Sequence, residues 1–216
     1  MLPVLLESGI ESTQLVELAY GVDVGPVRTE SARPRVAGRL TVGFSGTLAK
    51  HKGCHVLVDA VRGMDQAGLE VRIYGRGSDD ASYFAVLEAA ASGLASIRFM
   101  GTFERTEIGR VLGDMDALIV PSLWRENAPL VALAALQVRR PVIGSDVAGI
   151  AAAIQDGKNG ILIEPGNVTA LREAIERLRN DVALYDRLAA GCVPGKSSSE
   201  YADSLLAHYA TATQAS

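Results

Sequence analysis

From Arg39 onward short apolar runs alternate with helical stretches, and this alternation constrains the fold more than any other feature of the chain. The runs Leu40 to Ser45, Glu70 to Tyr74, Ile97 to Met100, Ala117 to Val120, Pro141 to Gly144 and Gly160 to Ile163 read as buried strands, mostly closed by Gly, Pro or Ser. The segments Cys54 to Gly63, Tyr83 to Ser92, Thr106 to Gly113, Leu130 to Arg139 and Val168 to Asn180 read as helices, the last with Val168, Leu171, Ile175 and Leu178 on one stripe. Strands separated by helices imply parallel, right-handed crossovers. The expected fold class is therefore α/β: a doubly wound parallel sheet, Rossmann-like, with its ligand crevice beyond the carboxyl ends of the strands.

Two further helices, Val182 to Ala190 and Glu200 to Tyr209, lie either side of a break at Pro194 and Gly195. Residues 1–38 carry Gly21, Gly25, Pro26, Pro34 and a polar run from Ser31 to Arg35, and read as an N-terminal arm and linker. The expected organisation is thus arm and linker over 1–38, a Rossmann-like domain over 39–192 and a C-terminal helical tail over 193–216. Only 5% of the 216 residues are aromatic while 48% are apolar, which favours close helix-on-sheet packing over a β-sandwich. The net charge of −4 argues against a nucleic-acid-binding surface, so any bound phosphate must be met locally. Cys54 and Cys192 have no metal-ligand spacing and read as buried thiols in a reduced, cytoplasmic setting. The opening MLPVLLESGIES is broken by Glu7 and lacks a basic n-region, so neither a signal peptide nor direct membrane insertion is expected.

Chemistry concentrates in the loops after the strands. After the first run, Gly46, Thr47, Lys52 and Gly53 lead into a helix, where Lys52 would offer a point charge to a pyrophosphate; a solvated basic loop edge is the plain alternative. Gly75 and Gly77 follow the second run, where a glycine pair admits a base or ribose; a strand-to-helix turn capped by Ser78 or Asp79 is the alternative. The loop WRENAPL places Glu126 where a carboxylate would accept hydrogen bonds from sugar hydroxyls. Pro129 is expected at the first helical position, capped by Asn127 or Ala128, so that the N–H groups of Leu130 and Val131 face an anion. In the plain reading Glu126 only favours the helix dipole and Trp124 fills a core gap. Asp114 to Asp116 forms a DxD-like DMD, but it precedes a strand and so falls at the amino edge, away from the crevice, where carboxylates face solvent or form turns. No metal and no cofactor are expected.

The motifs GTLAKHKG, RIYGRG, RFMGTF, IVPSLWRENAPL, PVIGSDVAG and DGKNGILIEPGN resemble, in order and spacing, the C-terminal, donor-binding half of the glycosyltransferase family 4 (group 1) enzymes, which have a two-Rossmann GT-B architecture. The similarity runs from about Tyr20, where YGVD looks like the family's NGVD hinge, to about Leu206. It implies a retaining transferase that moves a sugar from a nucleotide diphosphate-sugar donor. By resemblance Lys52 contacts the diphosphate, Glu126 the transferred sugar, the backbone of Ala128 to Val131 phosphate and sugar, Gly75 and Gly77 the nucleoside, and the backbone at Met100 and Gly101 the base edge.

Several positions depart from the family pattern. Ala134 stands where a second Glu holds the ribose, Arg139 where a Gly is usual, Ala148 for one Gly and Ala152 for a Glu, and Thr47 for a basic residue. Loss of one such carboxylate corresponds to about 1.5–3 kcal/mol, or roughly ten- to hundred-fold in affinity. The acceptor-binding Rossmann half, expected as a partner domain in the same or another chain, is absent from the sequence, so no turnover is expected of this chain alone. The alternative is a non-catalytic or degenerate nucleotide-sugar-binding module, which Ala134, Arg139 and Ala152 favour; a nucleotide-sugar epimerase of similar architecture is a third reading, and it too needs the missing half.

Overall fold

Leu40–Ser45 (β1) is central to the sheet: Leu40, Val42 and Phe44 are buried on one side, and on the other Gly43, between the half-buried Thr41 and Ser45, leaves room for the thioether of Met115. In the computed structural model, which describes residues 6–25, 35–77 and 81–214, β1 is flanked by Leu69–Tyr74 (β2) and Ala117–Val120 (β4). Ile97–Gly101 (β3), Val142–Ser145 (β5) and Gly160–Ile163 (β6) complete a six-stranded sheet of order β3-β2-β1-β4-β5-β6, parallel throughout. The strand order reverses direction between β1 and β4, and in such sheets the loops that diverge there open a crevice. The doubly wound Rossmann-like fold expected from the sequence is the one observed.

Helices Cys54–Arg62 (α1), Ala81–Ala91 (α2), Ile108–Gly113 (α3), Leu130–Gln137 (α4), Ala148–Ala153 (α5), Val168–Asn180 (α6), Val182–Gly191 (α7) and Ser198–Gln214 (α8) connect and follow the strands. α1 packs against α2 and α6, while α4 packs against α3 and α5, so both faces of the sheet are covered. Leu57, Val61, Leu171, Ile175, Leu178 and Leu188 are almost fully buried between these helices and the sheet. Each such side chain contributes roughly 1.5–3 kcal/mol of transfer free energy, set against the entropy of ordering it. Asn167 and Asp181 begin α6 and α7 by accepting hydrogen bonds from Ala170 N and Leu184 N.

The amino edge differs from expectation. Asp114 is exposed beside Arg110, but Asp116 is an anchor: its Oδ2 accepts from Thr41 N at 2.7 Å and from Arg35 Nη1 at 2.8 Å. The Arg35 guanidinium is buried and lies 4.8 Å from the centre of the Tyr185 ring. Asp116 therefore neither faces solvent nor forms a turn; it neutralises a buried cation contributed by the segment before β1.

The described residues form two compact units. Val24–Pro194 contains the sheet. In the other, residues up to Asp23 join those from Gly195 onward: Tyr20 stacks on Tyr201 at 5.6 Å, Val22 N donates to Lys196 O, and Ser197 and Glu200 form a reciprocal cap at the start of α8. The positions Pro26, Ser31, Pro34, Ser78 and Asp79 singled out in the sequence lie outside the described residues.

Candidate functional site

The loops after β1 and β4, the two strands at the reversal, are tied together by backbone. After β1 the chain makes a 3-10 turn, Lys50–Lys52, ended by Gly53 at φ 71°. A Cβ on Gly53 would stand 1.9 Å from the carbonyl oxygen of Pro121, so glycine is required there twice, by conformation and by close approach. Leu123 N donates to His51 O at 2.8 Å. This stitching aims Lys52 across the reversal, and its Nζ donates to Glu126 Oε1 at 2.7 Å.

The pair is partly sheltered, with side-chain exposures of 31% for Lys52 and 15% for Glu126. Ser122, a residue that sequence reasoning passed over, is buried behind it, and its Oγ lies 2.8 Å from the same Oε1. The carbonyls of His51 and Trp124 are also within its reach, at 3.2 and 3.4 Å. A hydroxyl has one proton, and the carboxylate is both the nearest and the charged acceptor. A serine four positions before Glu126, at the end of a buried strand, was the only available signal. On the far side Gly149, in α5, holds the Glu126 loop: a Cβ there would stand 1.9 Å from the Glu126 carbonyl oxygen.

The other expected residues spread along the same rim. Gly46 N donates to Tyr74 O and Gly75 N to Gly101 O, while a Cβ on Gly75 would collide with Gly46 O. Gly75 thus meets a packing demand of the rim itself, whereas a Cβ on Gly46 would make only ordinary contacts. Thr47, Met100 and Gly101 are exposed, and Gly77 is half-buried beside Leu48. The loop tip is apolar: Leu123, Trp124 and Leu130 are all exposed, so Trp124, at 68%, does not fill a core gap.

The entry to α4 differs by one position. Pro129 is the N-cap, with ψ 79°, and the helix begins at Leu130, so neither Asn127 nor Ala128 occupies the cap. Leu130 N donates to Ala128 O, which removes one of the two N–H groups expected to face an anion. Val131 is half-buried in the first turn. Ala134 has no exposed surface. It packs the helix into the protein and cannot meet a ligand as the chain stands.

Behind α1 a second polar pair closes the helix start: Tyr83 hydroxyl lies 2.8 Å from His55 Nδ1 and accepts from His55 N at 3.3 Å. Burial depresses the His55 pKa below its ordinary value and pushes the Tyr83 hydroxyl up to about 12. Cys54 and Cys192 are buried, and burial pushes each thiol up to about 12, which makes both inert. Among the described residues no three His, Cys, Asp or Glu side chains are grouped as a metal would need, and no helix is long and apolar enough to cross a membrane.

The chain is similar to known proteins in sequence and in fold. A phosphatidyl-myo-inositol mannosyltransferase of Mycobacterium leprae is 32% identical over 185 residues, covering 82% of this chain and 47% of that protein. The crystal structure of Anabaena HepE in complex with UDP and glucose superposes with a TM-score of 0.72 at 19% identity, over 80% of this chain and 48% of that one. The C-terminal domain of a group 1 glycosyl transferase from Francisella tularensis superposes at 0.66 and 23% identity, over 73% of this chain and 84% of that one. The chain spans less than half the length of the first curated relatives it matches. The fold is that of one Rossmann-like half of a GT-B glycosyltransferase. With residues 39–181 matching the family profile of the glycosyl transferases group 1, the chain belongs to that family.

Proposed function

We propose that this chain is the donor-binding, C-terminal half of a retaining family 4 glycosyltransferase that takes a sugar from a nucleotide diphosphate-sugar. One observation carries the reading: an ammonium and a carboxylate from loops after different strands meet at 2.7 Å at the reversal of the sheet. Lys52 binds the diphosphate and stabilises the charge that grows on it as the sugar departs, and Glu126 accepts hydrogen bonds from hydroxyls of that sugar. The acceptor attacks from the face that the diphosphate leaves. Charge on the diphosphate is assigned to Lys52 and the start of α4 and not to a metal, because Asp116 of the DMD sequence is already committed to Arg35 and Thr41. A second Rossmann domain, in the same or another chain, supplies the acceptor site and excludes water, and without it this chain does not turn over. Two inert, buried thiols suit a cytoplasmic protein.

A second reading, a binding module without catalysis, is favoured by one feature: the buried methyl of Ala134 in place of a ribose-binding carboxylate. Calorimetric titration with UDP, GDP, UDP-glucose and GDP-mannose tests the donor site. At least one nucleotide sugar is expected to bind, and Glu126→Ala or Lys52→Ala to weaken it roughly ten- to hundred-fold, the loss of one charge-assisted contact. Absence of binding by the wild-type chain, or binding indifferent to both substitutions, refutes it.

A further inference from the structure

We propose that Ser122 is a positioning residue that holds Glu126 while Lys52 changes partner from the carboxylate to the diphosphate. The inference rests on the roles assigned above to Lys52 and Glu126. Both donors, Lys52 Nζ at 2.7 Å and Ser122 Oγ at 2.8 Å, converge on one oxygen, Oε1. Among the described residues no group donates to Oε2. The carboxylate is thus divided: Oε1 is held by the protein and Oε2 is left to accept from a sugar hydroxyl.

The two donors differ in what they can do next. Lys52 carries its ammonium on a flexible stem that is about one-third exposed, and a diphosphate arriving beside it competes for the same protons. Ser122 is fully buried and follows directly from β4, with Pro121 fixed against Gly53, so it cannot leave. When Lys52 turns to the diphosphate, the Ser122 hydroxyl keeps Oε1 bonded and Oε2 aimed. Without it Glu126 loses both donors at the moment its orientation matters, and only the sugar half of the ligand is affected. A carboxylate so released finds water at the open rim and swings toward it.

The experiment has two arms. In the first, affinities for UDP-glucose and GDP-mannose are measured against those for UDP and GDP in wild type, Ser122→Ala and Ser122→Thr. The preference for nucleotide sugar over nucleotide is expected to fall at least fivefold in Ser122→Ala and to return within twofold in Ser122→Thr, which restores the hydroxyl. Equal loss for sugar and nucleotide would mark a merely structural serine and overturn the proposal. The second arm needs no ligand: the Glu126 carboxyl carbon resonance, assigned by its absence in Glu126→Gln, is followed in Lys52→Met, where only Ser122 remains. Addition of Ser122→Ala is expected to move it and Ser122→Thr to bring it back; an unmoved resonance overturns the hold. Should wild type bind no nucleotide sugar, the donor-site reading fails by itself, and the resonance still decides whether Ser122 holds Glu126.

Discussion

Replacing Gly53 by Ala should do more damage than its single methyl suggests, and the structure lets the two causes be separated. The first is conformational. At φ 71° an L-residue sits in the left-handed region, which costs about 1–2 kcal/mol. The second is steric, because the new Cβ would fall 1.9 Å from Pro121 O, backbone that can retreat only by moving the β4 loop. Forced overpacking of this kind costs about 1–3 kcal/mol. Gly157 supplies the control: it has the same φ, 71°, but nothing within 4 Å of a built Cβ.

Gly157→Ala should therefore lose about 1–2 kcal/mol by urea denaturation and Gly53→Ala about 2–5 kcal/mol, the difference measuring the clash with Pro121. Because Gly53 follows Lys52 and Pro121 precedes Ser122, the same displacement parts the site. Gly53→Ala should bind nucleotide sugar more weakly even where it is fully folded, while Gly157→Ala binds as wild type. Equal stability losses in the two variants, or an undiminished affinity in folded Gly53→Ala, would refute the argument that this glycine sets the spacing of the two loops.

Arg139, at φ 56°, occupies the left-handed position after α4, where Arg139 N bonds Leu136 O and Arg140 N bonds Ala135 O in the pattern that glycine usually completes. Arg139→Gly removes about 1–2 kcal/mol of strain and adds about 0.5–1 kcal/mol of backbone entropy cost, so a net gain of about 0–1.5 kcal/mol, and no loss, is expected in chemical denaturation. His55 titrates below its ordinary value because burial disfavours its charged form, so the unfolded chain takes up the proton first. Stability should hold above about pH 6.5 and fall as pH drops through that value toward the lower folded one, and His55→Gln should flatten this part of the profile in thermal unfolding.

Much of the fold was legible because its signals are local. Leu40–Ser45, Ala117–Val120 and Gly160–Ile163 were bounded correctly by apolar runs with sharp ends, and Val168–Asn180 by its one-sided stripe. Ala148–Ala153 was missed: AGIAAA has little pattern, and its Gly149 answers to the Glu126 carbonyl rather than to the helix. The turn Lys50–Lys52 was also missed, although it aims Lys52. α8 extends beyond the expected Glu200 to Tyr209, and its start was written in the Ser197–Glu200 cap. At the candidate site, the loops that carry Lys52 and Glu126 were readable one by one. Their meeting, and Ser122 behind them, depended on the order of the strands. Asp116 was misjudged for the same reason, since its partner Arg35 lies 81 positions earlier.

The ion pair joins residues 74 positions apart in the chain, in the loops after strands made first and fourth but laid side by side. No fragment ending before β4 can contain it, however well β1 to β3 and their helices form. During synthesis the nascent chain exposes Lys52 well before its counter-charge is made, and the pair forms late, with closure of a long-range crossover. The ion pair is in this sense a certificate that the two wings of the sheet have joined.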